Sequence, residues 1–331
     1  KTQKFIVKYF TEIMIKGESA KKQMRNQLFF NLQKISLQIS ENIEIKKFFD
    51  KIELICPIEF SDILREKLLC TSGVQLVLEA IQIDNMKTLD DIKVEVNRYM
   101  SKEILDKTFV VRAKRVGTQD FKSTNIEQTV GGYMLAQNST KGVDLRTAEV
   151  TINLELEHSK LNIITKRYEG LGGFPLGTQG EIISLMSGGF DSTVASYLSI
   201  KRGLKTHYLF FNLGGIAHEI GVKQVAWYLW NKFASSHNAK FITINFEDVV
   251  GQIFKDISPS YMGVILKRLM VQAAQKVANE LEVDALITGE SVAQVSSQTL
   301  RNLSLIDSAS DILILRPLAF MSKPEIIDIA S

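Results

Sequence analysis

The chain contains 331 residues, of which 45% are hydrophobic and 23% are charged, and its formal net charge is +3. This length favours two or three domains, and the hydrophobic fraction is sufficient to form their cores. No run of eighteen apolar residues and no cleavable apolar leader is present, so we expect a cytoplasmic protein with no membrane insertion and no secretion.

The first eighty residues alternate between strand-like and helix-like patterns. Apolar periodicity predicts strands at 5–10, 43–49, 52–56 and 74–83 and helices at 24–37 and 61–69. Strands and helices in this order indicate a small α+β unit of ferredoxin-like type.

A basic strand is the best RNA-binding candidate of the front half. In the run 108–115, alternation puts Arg112 and Lys114 on one face, with Arg115 at the strand end. Residues 1–180 carry 27 Lys and Arg against 23 Asp and Glu, which is compatible with RNA held by this half. The residues alone leave open whether this face binds RNA or is only solvated. The other elements predicted here are helices at 87–100 and 126–135 and strands at 149–156 and 161–166.

The second half predicts a different architecture. Residues 169–180 hold five glycines and a proline, which indicates a hinge. Short apolar strands then alternate with helices, which predicts a doubly wound parallel sheet that binds ligands at the carboxyl ends of its strands. The predicted strands are 182–186, 206–211, 240–245, 285–288 and 312–315, and the predicted helices are 192–202, 220–235, 263–281 and 324–330.

The most informative motif is Ser-Gly-Gly-x-Asp-Ser at 187–192, between the first of these strands and its helix. Gly188 and Gly189 let backbone N–H groups approach an anion closely, and the helix start adds partial positive charge. The motif is not a Walker A loop, because Asp191 occupies the stretch where that loop carries a lysine. A carboxylate beside phosphates indicates Mg²⁺ handling and departure of pyrophosphate as a unit.

This motif resembles the signature of the PP-loop ATP pyrophosphatases. Residues 210–221, 262–268, 288–290 and 294–299 resemble the tRNA 4-thiouridine synthetases more specifically, and the likeness covers essentially the whole chain. It implies a ferredoxin-like domain at 1–62, a THUMP RNA-binding domain at 63–167, a Gly-rich linker at 168–180 and a PP-loop ATP pyrophosphatase domain at 181–331. It also favours RNA binding by Arg112, Lys114 and Arg115.

The resemblance further implies site residues and a reaction. Asp191 and Lys323 match the catalytic region of the family. The implied ATP-contacting positions are Leu185, Met186, Ser187, Gly188, Gly189, Ser192, Phe210, Phe211, Lys267, Gly289 and Gln298. Core packing is the alternative for the four apolar side chains among them, and a solvated helix surface is the alternative for Lys267. The implied reaction is adenylation of a tRNA uridine at position eight with ATP and Mg²⁺, followed by sulfur transfer that gives 4-thiouridine.

The resemblance also implies binding partners and a reactive cysteine that lies outside the aligned region. It implies a tRNA as the substrate and a cysteine desulfurase as the persulfide donor. The family also supplies sulfur for thiamine thiazole synthesis, which leaves a thiamine sulfur-carrier protein open as a further partner. Formation of a homodimer also stays open.

Cys56 and Cys70 are the only cysteines, and we interpret both as buried small apolar residues. The family's reactive cysteine lies past the aligned region, so we expect a fragment, with a naturally reduced protein as the alternative. His218 and His237 lack paired ligands at metal spacing, so we predict no metal held by the protein alone.

Two other functions compete with this interpretation. The first is another PP-loop tRNA-modifying enzyme, although the paired Cys-x-x-Cys motifs typical of the cytidine thiolases are absent. The second is a non-catalytic tRNA-binding protein with a vestigial nucleotide fold. The intact motif at 187–192, together with Lys267, Gln298 and Lys323, argues against such decay.

Overall fold

The structure is a computed structural model that describes all residues, 1–331. Its strands are β1 (Thr2–Tyr9), β2 (Glu44–Lys47), β3 (Lys51–Pro57), β4 (Val74–Ile83), β5 (Thr108–Val116), β6 (Gly142–Val143), β7 (Val150–Glu157), β8 (Lys160–Gly172), β9 (Glu181–Met186), β10 (Lys205–Asn212), β11 (Phe241–Asn245), β12 (Ala285–Ile287) and β13 (Leu313–Leu315). Its α-helices are α1 (Thr11–Met14), α2 (Glu18–Ile39), α3 (Ser61–Leu69), α4 (Leu89–Met100), α5 (Ser123–Gln137), α6 (Phe190–Lys201), α7 (Ile216–Leu229), α8 (Glu247–Asp256), α9 (Pro259–Glu280), α10 (Leu300–Asp307) and α11 (Lys323–Ala330). None of the helices combines the length and the apolar character needed to cross a lipid bilayer.

The chain forms two compact units. The first comprises Lys1–Lys8, Ile39–Arg65 and Leu76–Glu169, and the second comprises Tyr9–Gln38, Glu66–Gln75 and Gly170–Ser331. Helix α2, which the sequence pattern placed in the N-terminal domain, therefore belongs to the second unit. The domain boundaries 1–62, 63–167 and 181–331 stay a prediction.

The first unit is built on an eight-stranded sheet in the order β2-β3-β1-β4-β8-β7-β5-β6. Strand β1 pairs antiparallel with β3, while β5 pairs parallel with β7. Helices α4 and α5 supply Ile92, Val96, Ile126 and Val130 to a core that they share with the apolar residues of β5, β7 and β8. Helix α4 begins at a capping box, in which the Thr88 side chain accepts a hydrogen bond from the Asp91 amide and the Asp91 carboxylate accepts one from the Thr88 amide. These mixed elements confirm the predicted α+β class.

The second unit contains a five-stranded sheet in the order β11-β10-β9-β12-β13, and every pair in it is parallel. Successive residues of β9 face opposite layers, because Ile183 packs in a cluster with Ala274 and Ala278 of α9 whereas Ile182 packs with Val194 of α6. Apolar residues on both faces of a strand are typical of a sheet covered on two sides. The predicted doubly wound parallel sheet is therefore confirmed.

Several predicted element boundaries differ from the structure. Strand β8 continues to Gly172, so the segment that its glycines indicated as a hinge is strand in its first part. The helix predicted at 220–235 begins at Ile216 and continues after Leu229 as a π-helical turn, Trp230–Ala234. Helices α8 and α10 were not predicted.

Candidate active site

The candidate site is a cavity of about 220 Å³ at the carboxyl ends of β9 and β12. The chain passes from β9 to β10 and β11 on one side and then returns to β12 on the other side of β9. Such a reversal leaves a crevice between two neighbouring strand ends, where doubly wound folds bind ligands. The cavity brings together seven of the predicted site residues: Leu185, Ser187, Asp191, Ser192, Lys267, Gly289 and Gln298.

The loop after β9 is held in a fixed shape by hydroxyl groups. The Ser192 hydroxyl accepts a hydrogen bond from the Ser187 amide at 3.2 Å and donates to the Gly189 carbonyl at 3.2 Å. The Thr193 hydroxyl donates to the same carbonyl at 2.9 Å. Gly188 has φ of +80°, which L-residues rarely adopt, so the turn requires glycine there. The amides of the loop and of the α6 start are therefore preorganised for an anion.

Asp191 lies in the first turn of α6 and has two side-chain partners. Its Oδ1 is 2.7 Å from the Nζ of Lys323, and its Oδ2 accepts a hydrogen bond from Gln294 Nε2 at 3.0 Å. Lys323 is the first residue of α11, where a cation is unfavourable for the helix dipole, and the carboxylate offsets that cost. The two predicted catalytic residues are thus in direct contact, and Gln294 was not predicted as a site residue.

Lys267 is tied to a buried carboxylate that the sequence analysis also missed. Its Nζ is 2.9 Å from Glu290 Oε2, and Glu290 Oε1 accepts hydrogen bonds from Arg316 Nε at 3.3 Å and from the Thr288 hydroxyl at 3.1 Å. Arg316 also donates to Asp307 at 2.9 Å. Glu290 is 8% exposed, so its two cationic partners stabilise a charge that would otherwise be costly to bury. The cluster holds the Lys267 ammonium at the cavity wall.

Gly289 and Gln298 also line the cavity, although both are distant in sequence from the loop after β9. Gln298 is 9% exposed, and its Oε1 has no hydrogen-bond partner. A buried acceptor without a partner costs about 1–3 kcal/mol, so a ligand that donates a hydrogen bond there would recover that energy. A Cβ on Gly289 would lie 2.5 Å from the Asp191 carbonyl carbon, which explains why this strand end carries glycine.

His218 is a further residue beside the loop. Its Nε2 is 3.1 Å from the Ser187 carbonyl oxygen, so this nitrogen carries the hydrogen and donates it. The ring packs edge-on against Phe210, with centroids 5.2 Å apart. His218 thereby supports the loop from the α7 side, a contact for which the sequence offered no signal because no metal-ligand spacing or motif accompanies it.

The remaining predicted residues lie outside the cavity wall. Gly188 and Gly189 line a neighbouring cavity of about 590 Å³ against α6 and α7. Met186, Phe210 and Phe211 are core residues with exposures of 4%, 2% and 7%. This burial fits core packing, the alternative for these apolar side chains, and the contact of Phe210 and Phe211 with ATP stays a prediction.

The predicted RNA-binding strand β5 has the expected exposed basic face. Arg112 and Lys114 are exposed and Arg115 is half-buried. Arg112 donates a hydrogen bond to the Leu145 carbonyl at 2.7 Å, and Arg115 donates to the Gly117 carbonyl at 2.9 Å. Both guanidinium groups thus have partners within the first unit, and the RNA-binding role of this strand stays a prediction.

The two cysteines differ in environment. Cys56 is fully buried in β3, and burial raises the pKa of its thiol to about 11. Cys70 follows α3 and is only half-buried, so the expectation of full burial was wrong for this residue, although burial still raises the pKa of its thiol. A raised pKa keeps a thiol protonated, which makes neither group a ready nucleophile.

Comparison with known proteins identifies close relatives. Residues 177–331 match the family described as thiamine biosynthesis protein (ThiI), and residues 86–166 match the THUMP domain. A tRNA sulfurtransferase of Tolumonas auensis is 47% identical over 328 residues, which cover 98% of this chain and 67% of that protein. The tRNA sulfurtransferase of Shewanella woodyi is 46% identical over 330 residues, covering 99% and 68%.

A solved structure is similar over the full chain. The crystal structure of a 4-thiouridine synthetase–RNA complex with bound ATP has 26% sequence identity and a TM-score of 0.85. The match covers 100% of this chain and 84% of that one.

Proposed function

The chain belongs to the tRNA sulfurtransferase family, and we propose that it uses ATP to activate the uridine at position eight of a tRNA for conversion to 4-thiouridine. The observation that carries this proposal is the cavity in which the Ser187–Ser192 loop, Lys267 and Gln298 converge. The similar synthetase was solved with RNA and with bound ATP, which supports the same two ligands here.

In this proposal the nucleotide occupies the cavity with its phosphates at the loop. The amides of Asp191 and Ser192 at the start of α6 and the Lys267 ammonium are suited to an anion, because they concentrate positive charge at the cavity wall. The unpaired Gln298 Oε1 is suited to an N–H donor, such as the exocyclic amino group of adenine. These two observations fit ATP and would discriminate against a nucleotide with a carbonyl in that position.

The activation step joins the uracil O4 to the α-phosphorus of ATP. As that bond forms, the bond from the α-phosphorus to the bridging oxygen breaks, and pyrophosphate leaves with the electron pair. The uracil N3 gives up its proton to solvent, so that the adenylated base carries a C4=N3 double bond. Lys323 and the loop amides are donors that can stabilise the charge that develops on the transferring group. Asp191 holds Lys323 at 2.7 Å before the nucleotide arrives, so this ammonium is positioned in advance.

Mg²⁺ is proposed as the companion of the nucleotide. When bound, it would neutralise the phosphates and favour departure of pyrophosphate. The carboxylate oxygens of Asp191, whose side chain is 25% exposed, are the hard ligands at this end of the cavity that suit such a cation.

We propose an external persulfide, delivered by a cysteine desulfurase, as the source of sulfur. The raised pKa values of Cys56 and Cys70 argue against either thiol as the sulfur-transferring nucleophile. The name of the matching family, thiamine biosynthesis protein, supports a second proposal, in which the same chemistry supplies sulfur for thiamine through a sulfur-carrier protein.

The test is release of pyrophosphate from ATP in the presence and absence of tRNA. The wild-type protein is expected to release pyrophosphate only when tRNA is added, and Lys323→Ala is expected to lose this activity while still binding tRNA. Lys276→Ala, which removes an exposed lysine from α9, is the matched control and should behave like the wild type. If the purified wild-type protein binds tRNA but never releases pyrophosphate, the non-catalytic RNA-binding alternative is correct.

A further inference from the structure

A separate cavity of about 330 Å³ lies in the second unit, between α7, the π-helical turn that follows it and the edge strand β11. None of its lining residues belongs to the candidate active site. The side chains that define it are Tyr208, Lys223, Trp227, Trp230, Lys240 and Phe241. We call it the tryptophan cavity.

The walls of the tryptophan cavity are flat and aromatic. Trp227 is 61% exposed, which is unusual for so large an apolar side chain. Trp230 is fixed by a hydrogen bond from its Nε1 to the His237 carbonyl at 2.7 Å. Phe241 completes the wall, with the Lys223 ammonium 5.7 Å from its ring centroid. Such walls are suited to a planar ring that stacks on them.

A buried polar group lies at the base of the cavity. Tyr208 is 2% exposed and its hydroxyl has no hydrogen-bond partner. Burial raises the pKa of this phenol, so the group stays neutral and keeps both its donor and its acceptor capacity. An unpaired buried hydroxyl is unfavourable, and a ligand with polar edge atoms would satisfy it.

The charged residues that line the cavity are both lysines. Lys240 lies at one end, while Lys223 also pairs with Glu219 at 2.9 Å. A ligand that enters is therefore expected to combine a planar ring, polar edge atoms and a nearby negative charge. A nucleotide of single-stranded RNA has all three, because its base stacks on aromatic side chains and its phosphate pairs with lysine.

We propose that the tryptophan cavity binds one unpaired nucleotide of an RNA, with the base against Trp227, its polar edge towards Tyr208 and its phosphate near Lys223 and Lys240. This is a second RNA contact, on the unit that holds the candidate active site, and it goes beyond the proposed activation of a uridine. A peptide of another protein is the competing occupant. The cavity combines aromatic walls with lysines as its only charged lining residues, and this combination favours a nucleotide.

The composition of the chain makes this proposal directly measurable. The protein contains two tryptophans, and both line this cavity, so its tryptophan fluorescence reports on this site alone. Titration of the full chain with a uridylate hexamer is expected to quench that fluorescence saturably. Saturation with ATP alone, without the hexamer, should leave it unchanged. Absorption by the hexamer is corrected with free N-acetyltryptophanamide.

Three variants locate the contact. Trp227→Ala is expected to weaken hexamer binding about tenfold, equivalent to 1.4 kcal/mol, with Trp230 as the remaining reporter. Lys223→Ala/Lys240→Ala should lower the logarithmic salt slope by about 0.7 for each lost phosphate contact. Tyr208→Phe should weaken binding several-fold while leaving thermal unfolding unimpaired, because the hydroxyl it removes has no partner in the free protein.

The matched control is Lys255→Ala/Lys276→Ala, which removes the same charge from exposed positions on α8 and α9. The proposal is overturned if the hexamer causes no quenching, or if the control and the Lys223/Lys240 variant lose the same affinity. A fluorescence change that depends on protein concentration without RNA would assign the cavity to a protein contact instead. Pyrophosphate release is measured separately, so failure of this proposal and failure of the proposed function are distinguishable.

Discussion

Replacement of Gly289 by alanine tests how closely the end of β12 approaches the nucleotide loop. A Cβ at this position would lie 2.5 Å from the Asp191 carbonyl carbon and 2.6 Å from the Ser192 amide nitrogen. Both atoms belong to the backbone of α6, so no side-chain rotation relieves the contact, and the helix start must shift. Overpacking of this kind costs about 1–3 kcal/mol. We expect Gly289→Ala to fold with a melting temperature lower by roughly 2–12 °C, since each kcal/mol shifts it by about 2–4 °C in a unit of this size.

The functional loss should exceed the loss of stability. A shift of the α6 start displaces Asp191 and the loop amides together, so ATP binding and tRNA-dependent pyrophosphate release are expected to fall at least tenfold at temperatures where the variant is folded. Gly251→Ala is the control, because a Cβ added there would meet no atom within 4 Å beyond the adjacent turns of its own helix, and alanine favours α8 by up to about 1 kcal/mol. A Gly289→Ala protein with wild-type ATP affinity and unchanged melting temperature would refute this account of the strand end.

Three further outcomes are expected. Asp191→Asn should keep its fold and its tRNA affinity but lose pyrophosphate release, and wild-type turnover would show that the carboxylate has no catalytic role. Replacement of Arg112, Lys114 and Arg115 by alanine should lower the salt slope of tRNA binding by about 0.7–0.9 per lost phosphate contact. Most of the loss should already be present in Lys114→Ala, because Arg112 and Arg115 have hydrogen-bond partners within the protein. An unchanged slope would indicate a solvated face. Burial raises the pKa of the Cys56 thiol to about 11, so this thiol should stay protonated at pH 8 and resist iodoacetamide until the protein unfolds. Rapid labelling of Cys56 in the native protein would contradict its burial.

Local sequence patterns were sufficient for most of the secondary structure. Strand β4 and helix α3 coincide with their predicted bounds, because alternation and helical periodicity are properties of neighbouring residues. Strand β8 shows where prediction from local patterns fails. A Cβ on Gly170 would lie 2.5 Å from the Val74 carbonyl oxygen, and the Gly73 amide donates to the Gly172 carbonyl at 2.8 Å. Glycine is needed here because two backbone segments approach closely, and not only because the chain turns. A glycine-rich composition alone does not distinguish a close backbone approach from a hinge.

The site was predictable in part for the same reason. The Ser187–Ser192 motif is contiguous, and its position after β9 followed from the apolar run before it. The partners of its side chains are distant in sequence, since Lys323 meets Asp191 across 132 residues and Gln294 meets it across 103. The Glu290 cluster likewise depends on the return of the chain to the other side of β9. Only the fold brings these groups together, so no local pattern indicated their pairing, although the resemblance had already named Lys323 and Lys267.

The most direct test of the central claim is transfer of label from ATP to tRNA. The protein is incubated with ATP labelled at the α-phosphate, Mg²⁺ and an unmodified tRNA, without a sulfur donor, and the RNA is then separated from free nucleotide. The account predicts that labelled AMP becomes attached to the tRNA in step with pyrophosphate release, and that both are lost when uridine eight is replaced by cytidine. Label that never reaches the tRNA, or release of orthophosphate with equal activity on the cytidine-eight tRNA, would contradict it.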